Sequence, residues 1–266
     1  MPAPSNHSGM HCSTGHTISI LPGRTRTGEH EPFDRIDIGP GDTISIVGPT
    51  GSGKSAFISD IEVFARGDTA TGRTILVDGR LPDEAFVRDP AQKPVALITQ
   101  NTRCLTDLTV RDFLAMHVRS RKIEKQGIIG ETIALANEFT GEKITEEARM
   151  TALSGGQTRS LMVADAIMVS CAPLILLDEV ENAGIFKDRV IDVLRLHHKA
   201  LIFVTHDPLV ALMSDRRIVM KNGGVAKVLE PNGSEVAALR SAKEMNVLLS
   251  RMRERIREGD LITGVA

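Results

Sequence analysis

An α/β fold, with a mostly parallel core sheet and a helical subdomain, is expected from three stretches of this 266-residue chain, and an antiparallel β part is expected at its N-terminal side. The first is the apolar, β-branched run Thr43-Ile44-Ser45-Ile46-Val47. It leads into Gly48-Pro49-Thr50-Gly51-Ser52-Gly53-Lys54-Ser55 and then into a helical run from Ala56 to Phe64. The second is Pro173-Leu174-Ile175-Leu176-Leu177, which reads as a strand buried on both faces and delivers Asp178-Glu179 at its carboxyl end. The third is a change to helical periodicity between Thr109 and Thr140, set between two parts of an α/β pattern.

In chain order, residues 1–13 read as a loose tail. His7, His11, Cys12 and His16 cluster around it, but no second pair of ligands fixes a metal geometry, so solvated imidazoles are expected. Thr17 to Leu21 and Phe33 to Ile38 read as strands joined by a polar loop. Arg73 to Gly79 reads as a strand closed by a turn, and Val95 to Thr99 as a buried strand ending at Gln100. Within the helical insert, Val110, Phe113, Leu114 and His117-Val118 form one apolar stripe; Ile128-Ile129, Ile133 and Ala136 form another, with a break near Gln126-Gly127. A helix is expected from Thr158 to Ser170 and another from Ile185 to His197. A strand from Ala200 to Thr205 then ends at His206-Asp207. Two short strands flank Asn222-Gly223-Gly224, a hairpin signal, and a charged amphipathic helix from about Ser234 to Glu258 follows. On that helix Ala242, Met245, Leu249, Met252 and Ile256 alternate by three and four, a seam suited to another helix or to the helix's own domain. The expected division is therefore a core of 14–99 with 154–233, a helical subdomain of 100–153, and a terminal helix within 234–266.

Composition narrows the function. A net charge of −2 gives no bulk attraction to nucleic acid or anionic lipid. Without Trp or Tyr, and with eight Phe, the chain has little to stack on single-stranded bases. Three scattered cysteines, Cys12, Cys104 and Cys171, fit a reducing, cytoplasmic setting better than a disulfide framework. The N-terminal residues lack the layout of a signal peptide, and the longest apolar run, Ala166 to Leu177, contains Pro173 and is far short of a membrane span. Any work at the inner face of a membrane would need another subunit to hold the chain there.

The stretch Gly48 to Ser55 carries the chemistry. Its glycines let the backbone curl so that several N–H groups point inward, and the start of the following helix adds positive partial charge. Lys54 can reach the outer phosphates of a nucleoside triphosphate, and the Ser55 hydroxyl can ligate Mg²⁺.

Five elements in order resemble the ATP-binding cassette (ABC) ATPases: the Gly48–Ser55 loop, Gln100, Leu153-Ser154-Gly155-Gly156-Gln157, the strand ending Asp178-Glu179, and His206. The resemblance runs from about Thr17 to Leu229. It implies an ATPase with ATP and Mg²⁺ as cofactors, the metal being held by Ser55, Gln100 and Asp178. Catalysis would involve Lys54, Gln100, Glu179, which polarises the attacking water, and His206, which lies near the γ-phosphate. Ser154, Gly155, Gly156 and Gln157 would form a second anion site, serving a neighbouring cassette in a head-to-tail homodimer or heterodimer.

Two roles are implied. One is the ATP-binding subunit of a transporter, with the helical insert and the Asn101–Leu108 loop receiving a separate membrane subunit. The other is a soluble cassette that remodels or loads a cytosolic partner, of the cofactor-assembly or metalloenzyme-maturation type. Nucleic acid is not an expected partner. The insert is too short for a long coiled coil, and no Asn-Lys-x-Asp run reads guanine.

The chain also departs from the family pattern. Val180-Glu181-Asn182-Ala183-Gly184-Ile185 replaces the usual run after the glutamate, putting Ile185 where an aspartate is expected. No aromatic follows the first strand to stack on adenine, and Leu21, Pro22, Arg24 or His16 occupies that neighbourhood. Ala56-Phe57 replaces the usual Thr-Leu, a packing change expected to have little chemical consequence.

Overall fold

The computed structural model describes residues 15–89, 92–99, 106–170, 172–178 and 187–262. Strands β1 (Ile18–Leu21) and β2 (Ile36–Ile38) come first, then β3 (Thr43–Val47), which runs into helix α1 (Lys54–Glu62). Strand β4 (Thr74–Val77), helix α2 (Glu84–Arg88) and strand β5 (Val95–Thr99) follow. The helical insert holds α3 (Val110–Ser120) and α4 (Ile128–Phe139), and a 3-10 turn at Met150–Ala152 precedes α5 (Gly155–Met168). The remainder alternates through β6 (Leu174–Asp178), α6 (Lys187–Leu196), β7 (Ala200–Val204) and α7 (Pro208–Met213). It ends with the hairpin β8 (Arg216–Lys221) and β9 (Gly224–Leu229) and the long helix α8 (Gly233–Arg257).

Six strands form the core sheet in the order β5-β6-β7-β3-β8-β9. All neighbours are parallel except the β8–β9 hairpin. The central strands β6 and β7 are apolar on both faces, as strands between helix layers must be. A separate antiparallel sheet, β2-β1-β4, makes the β part.

Alternate side chains of the core sheet feed two cores. Ile175, Leu177, Leu201 and Phe203 pack with α3, α4, α5 and α6. Leu174, Leu176, Ile202, Ile44 and Ile46 pack on the other face with Phe57, Ile58 and Ile61 of α1 and with the antiparallel sheet. The phosphate-loop helix and the insert helices are thus on opposite faces of one sheet.

Local chemistry sets the boundaries. Thr109 caps α3 by accepting the Asp112 N–H at 3.1 Å. The break in the insert ends at Gly127, whose φ of 79° precedes α4. On the two stripes, Val110, Phe113, Leu114, Ile128, Ile133 and Ala136 are buried. β2 is shorter than expected because the Phe33 N–H donates to the Glu31 carbonyl at 3.0 Å, keeping that segment in a turn. Helices α2 and α7 are additions to the expected elements. α7 is explained by Asp207, which accepts the Leu209 N–H at 2.8 Å, and by Pro208 in the first turn.

Candidate nucleotide site

β3 ends at the carboxyl edge of the sheet, and Gly48 to Ser55 curl from it into α1. Two glycines there are dictated by close contact as well as by φ. A Cβ on Gly48 (φ 154°) would lie 2.5 Å from the Met220 carbonyl oxygen, and one on Gly53 (φ 104°) would lie 2.8 Å from Gly223 Cα. Lys54 is buried, and its Nζ donates to the carbonyls of Gly48 at 2.8 Å and Pro49 at 3.2 Å, so the ammonium lies folded over the loop. Ser52 donates its N–H to the Pro49 carbonyl at 3.1 Å, while its buried hydroxyl has no hydrogen-bond partner. An orphaned hydroxyl and a folded-over ammonium in one glycine curl suit an anion. Pro49, Thr50, Gly51 and Ser55 are exposed.

Asp178 ends β6, opposite Thr99 of β5 and Val204 of β7, and β7 is the strand beside β3. Both Asp178 and the phosphate loop therefore stand at the same carboxyl edge of the sheet. A serine hydroxyl and a carboxylate are the hard oxygen donors that Mg²⁺ takes alongside phosphate oxygens, so this donor set fits the ion. Among the described residues no group of three or more His, Cys, Asp or Glu is placed to hold a metal by itself. After β7, the Thr205 N–H donates to the Ile46 carbonyl of β3 at 3.2 Å and sets the exposed His206 beside the loop. His206, Val47, Gly48, Pro49 and Arg217 line one cavity of about 560 Å³. Gln100 and Glu179, with the atypical segment 180–185, lie outside the described residues, as do His7, His11 and all three cysteines.

Ser154 caps α5. Its hydroxyl accepts the Gln157 N–H at 3.2 Å, and the Gln157 side chain accepts the Ser154 N–H at 2.9 Å. The same hydroxyl donates to Glu142 Oε2 at 2.9 Å, so a carboxylate sits at the helix start where a second anion is expected. Of the residues near the first strand, His16 is committed to Asp78 at 2.5 Å and Arg24 donates to the Gly28 carbonyl at 3.2 Å.

Sequence reasoning missed the groups that pack around the loop. Arg73 is fully buried, and its guanidinium carbon lies 4.8 Å from the centre of the Phe57 ring, so Phe57 does more than alter packing. Arg73 Nη2 and Nε donate to Glu31 at 2.6 and 3.0 Å, and Nη1 donates to Asp60 at 2.8 Å. Burial works to raise the Glu31 carboxyl, but Arg73 and the N–H groups of Val225 and Gly23 outweigh it and hold it below its ordinary value. A lone arginine opening a strand has no pattern that announces burial. The available hint was Phe57, a ring beside the loop where an aliphatic residue is usual.

Fold and site define an α/β nucleotide-binding protein built on a phosphate loop. Residues 34–182 match the family described as ABC transporter, and the chain belongs to that family. It is 45% identical over 246 residues to an uncharacterized ABC transporter ATP-binding protein of Methanocaldococcus jannaschii, covering 92% of this chain and 94% of the relative. An sn-glycerol-3-phosphate import ATP-binding protein of Brucella abortus is 27% identical over 228 residues, 81% of this chain and 63% of that protein's length. Among solved structures, the ATP-binding subunit of an ABC transporter superposes with a TM-score of 0.63 at 20% identity, over 88% of this chain and 99% of that one. A dimeric cassette in a post-hydrolysis state with ADP and Pi gives 0.60 at 22% identity, over 81% and 99%. The last two show the fold.

Proposed function

We propose that this chain is the ATP-hydrolysing subunit of an ABC transporter, working as a head-to-tail dimer with a separate membrane subunit. The observation that carries the hydrolytic reading is the shared cavity in which His206 faces the first residues of the phosphate loop. The loop N–H groups and Lys54 bind and orient the triphosphate. Glu179, directly after the end of β6, takes a proton from water as its oxygen bonds to the γ-phosphorus. The bond from that phosphorus to the β,γ-bridging oxygen breaks, leaving ADP and phosphate. His206 hydrogen-bonds the γ-phosphate and keeps the attacking water in line. Mg²⁺, when bound, is held by Ser55, Asp178 and Gln100 and offsets charge on the phosphate oxygens.

Ser154 and the start of α5 serve the other protomer's phosphate. Support comes from the packing of α1 and α5 on opposite faces of the sheet. No helix among the described residues is long and apolar enough to cross a membrane, which suits a subunit held by a partner. The helical insert is the surface offered to that partner.

The test is Mg²⁺-dependent phosphate release by wild type and by Glu179→Gln. The variant should retain ATP binding and lose nearly all turnover; undiminished turnover would remove Glu179 as the base. Co-purification with an integral membrane protein tests the transporter assignment, and its absence under crosslinking would sink it.

A further inference from the structure

The geometry points to Arg73 as a positioning residue for nucleotide binding: it clamps α1 and the β8–β9 turn together so that the turn aims the Gly53 N–H at the phosphates. The inference rests on the nucleotide reading above and assigns a new group to that site.

The chain of contacts begins at the loop. The Gly223 N–H donates to the Ser52 carbonyl at 2.9 Å. In a trans peptide the carbonyl and the following N–H point in opposite directions. Holding the Ser52 oxygen against the hairpin therefore turns the Gly53 N–H away from the hairpin, which on the nucleotide reading is the side the phosphates take. No slack remains at this contact, since a Cβ on Gly53 would come within 2.8 Å of Gly223 Cα.

The Arg26 N–H holds the Asn222 carbonyl at 2.9 Å, and the ion cluster behind the turn holds Gly223 itself. Asn222 and Gly223 have φ of 52° and 84°, the two-residue turn that closes β8 on β9. The Gly223 carbonyl accepts Arg73 Nη2 at 3.3 Å. Next to it, the Val225 N–H donates to Glu31 Oε1 at 2.6 Å, the same carboxylate that Arg73 grips. On its other side the guanidinium reaches α1 twice, through Asp60 at 2.8 Å and over the Phe57 ring at 4.8 Å. One planar fork thus ties the helix that begins at Lys54 to the turn that orients the loop before it.

Stability alone gives a poor reason for such a cluster. One cation faces two carboxylates with side chains 0% and 5% exposed, and burying charge costs more than apolar packing of similar volume. Directional contacts to three segments are what an apolar core could not supply.

The experiment compares wild type with Arg73→Lys, which keeps the charge but cannot reach Glu31, Asp60 and the Gly223 carbonyl together. Calorimetry with inorganic tripolyphosphate and with Mg-ATP, well below the melting temperature, is paired with steady-state ATPase kinetics. Both dissociation constants and KM should rise about tenfold, with kcat within about twofold, because the hydrolytic groups are untouched. Asp60→Asn gives the same direction with smaller size should Arg73→Lys fail to fold. Ile133→Ala, a core truncation in α4, should lower the melting temperature and leave tripolyphosphate affinity unchanged. If the Arg73 and Asp60 variants lower the melting temperature with unchanged affinities, the cluster is merely structural and the inference is overturned. Wild type binding neither ligand would overturn the nucleotide reading and this inference with it.

Discussion

Lys54 spends its hydrogen bonds on the loop it serves. Its Nζ rests on the Gly48 and Pro49 carbonyls, and a triphosphate brings anionic oxygens that compete for the same protons. A hydrogen bond to a charged partner is worth roughly 1.5–3 kcal/mol, so Lys54→Ala should weaken ATP binding by about ten- to a hundredfold in a calorimetric titration. Unchanged affinity would mean that the ammonium never leaves those carbonyls. Ser154 poses the complementary case. Its hydroxyl already has an anionic partner in Glu142, and a partner protomer's phosphate arriving at the start of α5 would meet that carboxylate. Glu142→Gln removes the repulsion and keeps the shape. In a Glu179→Gln background it should lower the ATP concentration needed for dimerisation, measured by sedimentation, with the difference shrinking at high salt. A dimer weakened by the change would show that Glu142 orients Ser154 and does not oppose the ligand.

At the scale of elements, the joint between α6 and β7 carries a buried charge. Lys199 Nζ donates to the carbonyls of Ser170 at 3.0 Å and Ala172 at 2.7 Å, and burial pushes its pKa down to about 8 from 10.5. The folded state then binds fewer protons than the unfolded chain between those two values, so this group makes stability rise with pH across that window and stay level below it. Subtracting the urea-unfolding free energy of Lys199→Met from that of wild type should give a difference that climbs between about pH 8 and 10.5. A flat difference would mean that the ammonium stays charged in the fold. Legibility follows the same physics. β6 and β7 were readable because a strand buried on both faces needs an apolar run, β3 and β5 because β-branched and apolar residues dominate them, and the β8–β9 turn because Asn222-Gly223 suits two residues at positive φ. Helices α2 and α7 are too short to show a period, although Asp207-Pro208 was a legitimate start signal. The loop residues announced their chemistry in order and type. Arg73, Glu31 and Asp60 did not, because a charge in a sequence looks solvated until tertiary structure closes over it. The seam on α8 shows a further limit: its period was visible, but only the fold shows Met245, Leu249 and Ile256 exposed.

For the whole molecule, the sheet separates the helices that follow the two proposed phosphate half-sites. α1, which follows the phosphate loop, belongs to one core, and α5, which follows Ser154, belongs to the other. On the shared-site proposal, a head-to-tail pair would let each half-site meet its complement on the neighbour. Mixing two inactive variants tests this geometry. Lys54→Ala spoils the phosphate loop and leaves Ser154 intact, whereas Ser154→Arg blocks the second half-site and leaves Lys54 intact. A mixed dimer then holds one site with both halves sound and one with both spoiled. Random pairing in an equal mixture makes half the dimers mixed, so ATPase activity should recover to at most about a quarter of wild type. The recovery should appear on mixing, rise with total protein concentration as dimers form, and vanish when either variant carries both changes. If the mixture stays as inactive as its components while both variants bind each other, each chain completes its own site. The opposite-face packing of α1 and α5 would then need a reason other than a shared nucleotide.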